Sequence, residues 1–121
     1  MIVRLNLSGN VYHGILDAGL YTDNRMALFF VDTQTHETIA KATIHVPALV
    51  NMEYDRVVIK DYSENEGMMH SLLRENLIHW PEGTISLGYT EGKICQLTDK
   101  CLNHVNNIIR KKFPGLKWPP K

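Results

Sequence analysis

Three residues near the carboxyl end, Cys95, Cys101 and His104, carry side chains of the type that hold zinc. A helix would set Cys101 and His104 three residues apart on one side, with Cys95 arriving from the strand before it. A zinc centre needs three or four such ligands converging at about 2 Å. The spacing contains no CxxC knuckle, and a fourth ligand would have to come from His70 or His79 folding in. The alternative is that both thiols are small buried hydrophobes, as free cysteines commonly are. A zinc-containing structural domain is therefore kept as an alternative, while no metal ligand or cofactor is assigned.

Other residues with chemical capacity form no recognised pattern. Six histidines (13, 36, 45, 70, 79 and 104) are scattered, with no HExxH pair among them. Ser63 and His70 could make a nucleophile and base only if the fold brought them together. Glu64 and Glu66 could act as acid and base or hold a cation, but in a first helical turn they complement the helix dipole first. Gly83, Gly88 and Gly92 belong to turns and strands, and no glycine-rich phosphate loop occurs. The expectation is a protein without catalytic residues, that is, not an enzyme.

Two surfaces suit binding instead. One is an acidic corner made of Asp61, Tyr62, Glu64, Asn65 and Glu66. The other is a basic, aromatic carboxyl-terminal region containing Arg110, Lys111, Lys112, Lys117 and Trp118, together with Phe113. Cations interleaved with aromatic rings suit single-stranded nucleic acid. They suit an acidic groove on a protein partner equally well, since Trp and Arg are favoured anchoring types. The plainer reading of the tail is that Trp118 folds back on the body and the cations cap a helix end.

Composition sets outer bounds. The 121 residues suffice for one domain with a core, and 44% apolar content with 21% charge argues against disorder. Thirteen basic and thirteen acidic side chains cancel, so no overall field draws the chain to nucleic acid or anionic membrane. No apolar run approaches the ~20 residues that span a bilayer. The amino-terminal stretch lacks the pattern of a secretion signal. Two cysteines are too few for a disulfide scaffold. A soluble protein of a reducing cytoplasm, cytoplasmic and with no membrane association, is expected.

The elements that must position these residues can be read in order. Ile2 to Ser8 alternates as a half-buried strand with Val3, Leu5 and Leu7 on one face. Residues 10–24, broken by Gly14 and Gly19, read as an excursion loop with apolar anchors. Met26 to Val31 and Ile39 to Val46 read as an antiparallel hairpin, with Ala40, Ala42, Ile44 and Val46 inward and Lys41, Thr43 and His45 outward. Val57 to Lys60 gives a fourth strand. Ser63 and Glu66 then match a capping box, opening a helix whose stripe is Met69, Leu72, Leu73 and Leu77. Ile85, Leu87 and Tyr89 alternate in a fifth strand. Glu91-Gly92 is either a turn into a sixth strand or, as preferred here, a bulge within one long strand. Thr98-Asp99 caps a last helix that ends in Arg110, Lys111 and Lys112.

The resulting order, β-β-β-β-α-β(-β)-α, predicts an α+β fold: one antiparallel sheet of about five to six strands packed by two helices. The domain would span 1–113, with 114–121 an extended tail.

The string Val58-Ile59-Lys60-Asp61-Tyr62-Ser63-Glu64-Asn65-Glu66-Gly67-Met68, followed by Gly88-Tyr89 and Ile94-Cys95-Gln96-Leu97, resembles a family of small uncharacterised proteins of phages, plasmids and conjugative elements. The resemblance covers residues 25–97, and the KDYSENEG string is its most specific part. It carries no catalytic residues to transfer. It implies a mobile-element accessory protein that binds a host protein, in the manner of an anti-CRISPR or other anti-defence inhibitor. The alternative function is a small nucleic-acid-binding accessory protein using the basic tail.

Overall fold

Residues 1–120 are described by a computed structural model, beginning with the alternating stretch at the amino terminus. It forms strand β1 (Ile2–Leu7), with Val3, Leu5 and Leu7 buried. Ser8 and Gly9 both adopt positive φ (48° and 83°), the geometry of a tight hairpin turn. The chain returns as β2 (Asn10–Leu20), which pairs Leu7 with Asn10 and Ile2 with Ile15.

The segment expected to be a loop is thus an eleven-residue strand. Its inward side carries Gly14, Leu16 and Ala18, two of them too small to register as hydrophobic alternation. The glycine is required by packing: a Cβ at position 14 would lie 2.9 Å from Cβ of Phe30.

Strand β3 (Met26–Asp32) pairs with β2 and with β4 (Thr38–Lys41), giving a four-stranded antiparallel sheet in sequence order. The hairpin partner stops at Lys41 rather than continuing to Val46. Thr43 explains the break. It points inward, 3% exposed, and its Oγ1 accepts the Leu28 N–H at 3.2 Å while hydrogen-bonding Tyr21 Oη at 2.9 Å. The main chain then turns to a new neighbour, β5 (Arg56–Ile59), through a Thr43–Ile59 bridge, Ile44 N–H to Val58 O and Lys60 N–H to Ala42 O.

Strand β5 belongs to a second sheet of order β5-β7-β6, built with β6 (Gly83–Ser86) and β7 (Glu91–Gln96). The turn between the last two lies at residues 87–90, where Gly88 has φ 92° and Leu87 N–H bonds Thr90 O. Glu91-Gly92 is therefore neither turn nor bulge, since both residues pair within β7. Gly92 sits where a Cβ would come within 2.4 Å of Val58 Cγ1. The fold is α+β as the pattern implies, but the seven strands of the described residues form two sheets rather than one.

Helix α1 (Met68–Arg74) buries Met68 and Leu72 and packs on β1. It ends before Leu77, since Asn76 takes φ 57° and redirects the chain. Helix α2 (Asp99–Lys112) starts at Thr98, whose Oγ1 accepts the Cys101 N–H at 3.2 Å, and buries Cys101, Val105 and Ile109. It packs on β2, and its last lysine reaches the stretch of β2 left unpaired beyond the end of β1. Both helices share a core with Leu5, Leu16, Leu28, Phe30, Ile59 and Leu97. No helix among the described residues is long and apolar enough to cross a membrane.

Candidate interaction surface

The acidic corner follows β5 and is built by a different cap from the expected one. Ser63 opens a 3₁₀ turn (Ser63–Asn65) with φ 55°, and no side-chain cap is formed by it. Asp61 takes that role: its Oδ1 accepts the N–H of Gly67 at 3.1 Å and of Met69 at 3.0 Å. Gly67 occupies φ 102°, and a Cβ there would lie 2.2 Å from the carbonyl oxygen of Asn6. The carbonyl of Glu66, not its carboxylate, ties the corner to the first hairpin by accepting the Ser8 N–H at 2.8 Å.

Of the five corner residues proposed for binding, Asn65 is excluded by burial. It is 1% exposed, and its Nδ2 donates to Lys41 O at 2.7 Å and Lys60 O at 3.3 Å. An amide with both donors used inside the protein ties Lys41 of β4 to Lys60 after β5, and its burial keeps it out of a partner's reach. Asp61 is half-buried and occupied as the cap. Glu64 and Glu66 are exposed, and Tyr62 is half-buried.

The structure adds two residues that sequence reasoning missed. Tyr89, on the β6–β7 turn, meets the Tyr62 ring edge-on at 5.9 Å and 86°, and is 80% exposed. Lys60 lies over the Tyr62 ring, 5.5 Å from its centroid, and pairs with Glu64. The Tyr89 phenol, and after it partial burial, push the Tyr62 hydroxyl up to about 12. Tyr62 is thus a neutral donor and acceptor at any physiological pH. The Lys60 hydrogen bond holds the Glu64 carboxyl below its ordinary range. Two phenols 27 positions apart in the chain form one amphipathic knob, flanked by a cation and a carboxylate. Alternation places Tyr89 in the fifth strand, but that strand ends at Ser86 and Gly88, at φ 92°, turns the chain and leaves Tyr89 on the turn.

The basic tail is largely spent internally. Trp118 is 7% exposed, donates from Nε1 to Asn106 Oδ1 at 2.8 Å and meets Tyr54 edge-on at 5.9 Å. Arg110 Nε donates to Trp118 O at 3.1 Å. Lys112 Nζ donates to Asp17 Oδ1 and Ala18 O, each at 2.8 Å, and lies over the Phe29 ring. Burying an indole with its N–H satisfied outweighs leaving it in water, so the segment after α2 docks rather than extends. Of the cations proposed in the tail, Lys111 and Lys117 are exposed and have no side-chain partner among the described residues.

Cys95 in β7 and Cys101 in α2 are both buried. Burial pushes their thiols up to about 11 and about 12, so both are neutral thiols in this structure. Burial also lowers His104 from its ordinary value. Among the described residues no three His, Cys, Asp or Glu side chains gather as a ligand set. His70 and His79 instead line an open groove of about 490 Å³ with Leu73, Arg74, Asn76, Ile78 and Trp80.

No protein-family model, curated protein or solved structure matches this chain.

Proposed function

We propose that this protein is a non-catalytic binding module whose partner is another protein, docking on the corner formed by Tyr62, Glu64, Glu66 and Tyr89. The observation that carries the reading is Tyr89, held 80% exposed against Tyr62 on the turn that joins β6 to β7. Large exposed aromatics with a polar tip are favoured interface anchors, because they cover apolar area while their hydroxyls stay satisfied. The Lys60–Glu64 pair beside them supplies a polar rim. The mobile-element resemblance of the same KDYSENEG string supports a host protein as the target, in particular a CRISPR or other defence effector. A partner captured there would lose function by occlusion, with no turnover by this chain.

Phage plaquing on a CRISPR-immune strain tests this directly. Expression of the wild-type chain is expected to restore plaques, and Tyr89→Ala to abolish the restoration by weakening binding at least about tenfold, a typical anchor loss. Melting of the variant should match wild type, because the ring covers little of the core. No restoration by the wild type, across strains carrying different defence systems, would remove the inhibitor reading.

A further inference from the structure

A second surface differs in chemistry from the Tyr62–Tyr89 corner. Trp80 is 73% exposed and stands on a short span pinned at three points. Ile78 bridges to Leu97, His79 N–H bonds Gln96 O at 2.9 Å, and Glu82 N–H bonds Ile94 O at 2.9 Å. The indole is therefore presented by fixed backbone, not by a loose loop. Beside it lies the 490 Å³ groove, floored by Leu73 and Ile78.

The polar lining of that groove is Arg74, His70, His79 and Asn76, with no carboxylate among the lining residues. His70 and Arg74 are one helical turn apart on α1 and so share a face. Arg74 uses one Nη2 hydrogen for Arg4 O at 2.8 Å, which leaves most of its guanidinium donors for a ligand. Two carbonyls just past the end of α1, which would otherwise repel an anion, are already covered. Thr98 Oγ1 donates to Asn76 O at 2.8 Å, and Lys100 Nζ donates to Glu75 O at 3.2 Å. The chain as a whole is neutral and the neighbouring Glu75 carboxylate, outside the lining, accepts the Arg4 N–H at 3.2 Å, so this one-sided lining is a local feature.

From the exposed indole beside a carboxylate-free groove of Arg74, His70 and His79, we infer that this face binds single-stranded nucleic acid. A base stacks on Trp80 and the adjoining phosphate is held by Arg74. Stacking on an exposed aromatic is tolerant of base identity, and the guanidinium matches phosphate geometry. Asn76, at the rim, can hydrogen-bond a base edge. The site is independent of the carboxyl-terminal tail, whose own indole is buried.

The two tryptophans give a direct readout, since Trp118 is buried against Tyr54 while Trp80 is open. Titration with a short oligothymidylate at low salt is expected to quench the Trp80 emission. An oligouridylate arm of the same length extends the test to RNA, and quenching by either polymer supports the site. Trp80→Ala should weaken binding, followed by anisotropy of a labelled oligonucleotide, by about tenfold. Arg74→Gln should reduce the salt dependence by about 0.7 in log K per log salt, one phosphate contact. Tyr89→Ala should leave oligonucleotide binding as in wild type, which separates this site from the protein-binding corner. Absence of quenching with both polymers, oligonucleotide affinity unchanged in Trp80→Ala, or equal competition by polyglutamate would each overturn the inference.

Discussion

Asp61 and Ser63 compete for the same structural role, and the outcome is decided by geometry two residues away. Both can accept an N–H at the start of α1, and local pattern favours Ser63 because Glu66 completes a capping box. Gly67, however, places φ at 102°, so the chain turns sharply before the helix and swings its first N–H groups toward Asp61. Ser63 is then left in a 3₁₀ turn, where its carbonyl, not its hydroxyl, is used: it accepts the Ser8 hydroxyl at 2.9 Å. Asp61→Ala is therefore expected to cost about 1–2 kcal/mol of stability, the usual range for a lost cap. Ser63→Ala and Glu66→Ala should each stay within about 0.5 kcal/mol of wild type. Urea denaturation of the three variants separates the two caps. The residue types in this corner were legible in sequence, but which of them does the capping was not. A left-handed glycine has no period and no spacing rule.

Elements were legible where burial leaves a strong alternation and obscure where small residues replace it. β1 and α2 show this on the legible side, with Val3, Leu5 and Leu7 in one and Cys101, Val105 and Ile109 in the other all buried as their spacing implies. β2 fails the same test because Gly14 and Ala18 occupy inward positions under neighbouring side chains. The tail was open to two readings, and docking wins because Trp118 finds both an apolar bed and Asn106 for its N–H. Trp118→Ala should lower stability by about 3 kcal/mol, combining a cavity with an unpaired buried amide at Asn106, whereas Lys117→Ala should be neutral. Differential scanning calorimetry of both variants checks the pair. The second sheet has its own polar clasp at Asp55. The carboxylate accepts from Arg56 Nη1 at 2.8 Å and Gln96 Nε2 at 3.1 Å, while Arg56 Nε reaches Glu82 at 3.0 Å. Burial opposes the Asp55 charge, but these hydrogen bonds outweigh it and the carboxyl stays below its ordinary 3.8. A depressed folded value means stability that is present above pH 3.8 and lost as pH falls through the folded value. Asp55→Asn should thus be about 1 kcal/mol less stable than wild type at pH 7. The gap should close in acid, as urea unfolding at pH 7 and below 3.8 would show.

The whole molecule depends on how its two sheets are coupled, and that coupling is narrow. Residues 42–44 are the segment that hydrogen-bonds both: Ala42 N–H goes to Leu28 O in the first sheet, while Ala42 O and Ile44 N–H pair with β5 of the second. An alternating pattern over 39–46 reads as one strand beside one partner, so a change of partner in mid-strand leaves no trace in hydrophobic period. What marks it is Thr43, a polar residue whose hydroxyl replaces a main-chain bond to Leu28 and also reaches Tyr21. With the hydroxyl removed, Leu28 N–H and Tyr21 Oη lose a partner beneath a residue only 3% exposed. Thr43→Val keeps the shape and should cost about 2 kcal/mol or more, because one orphaned buried donor alone costs about 1–3. The larger expectation concerns cooperativity. In wild type, the amides of Ala42, Ile44 and Lys60 should exchange with deuterium only by global unfolding, as slowly as the central strands β3 and β7. In Thr43→Val the two sheets should open separately, with those three amides exchanging faster than both sheet centres. Uniformly scaled exchange, with the junction still as slow as the strands, would mean that the shared apolar core rather than this crossing makes the sheets fold as one.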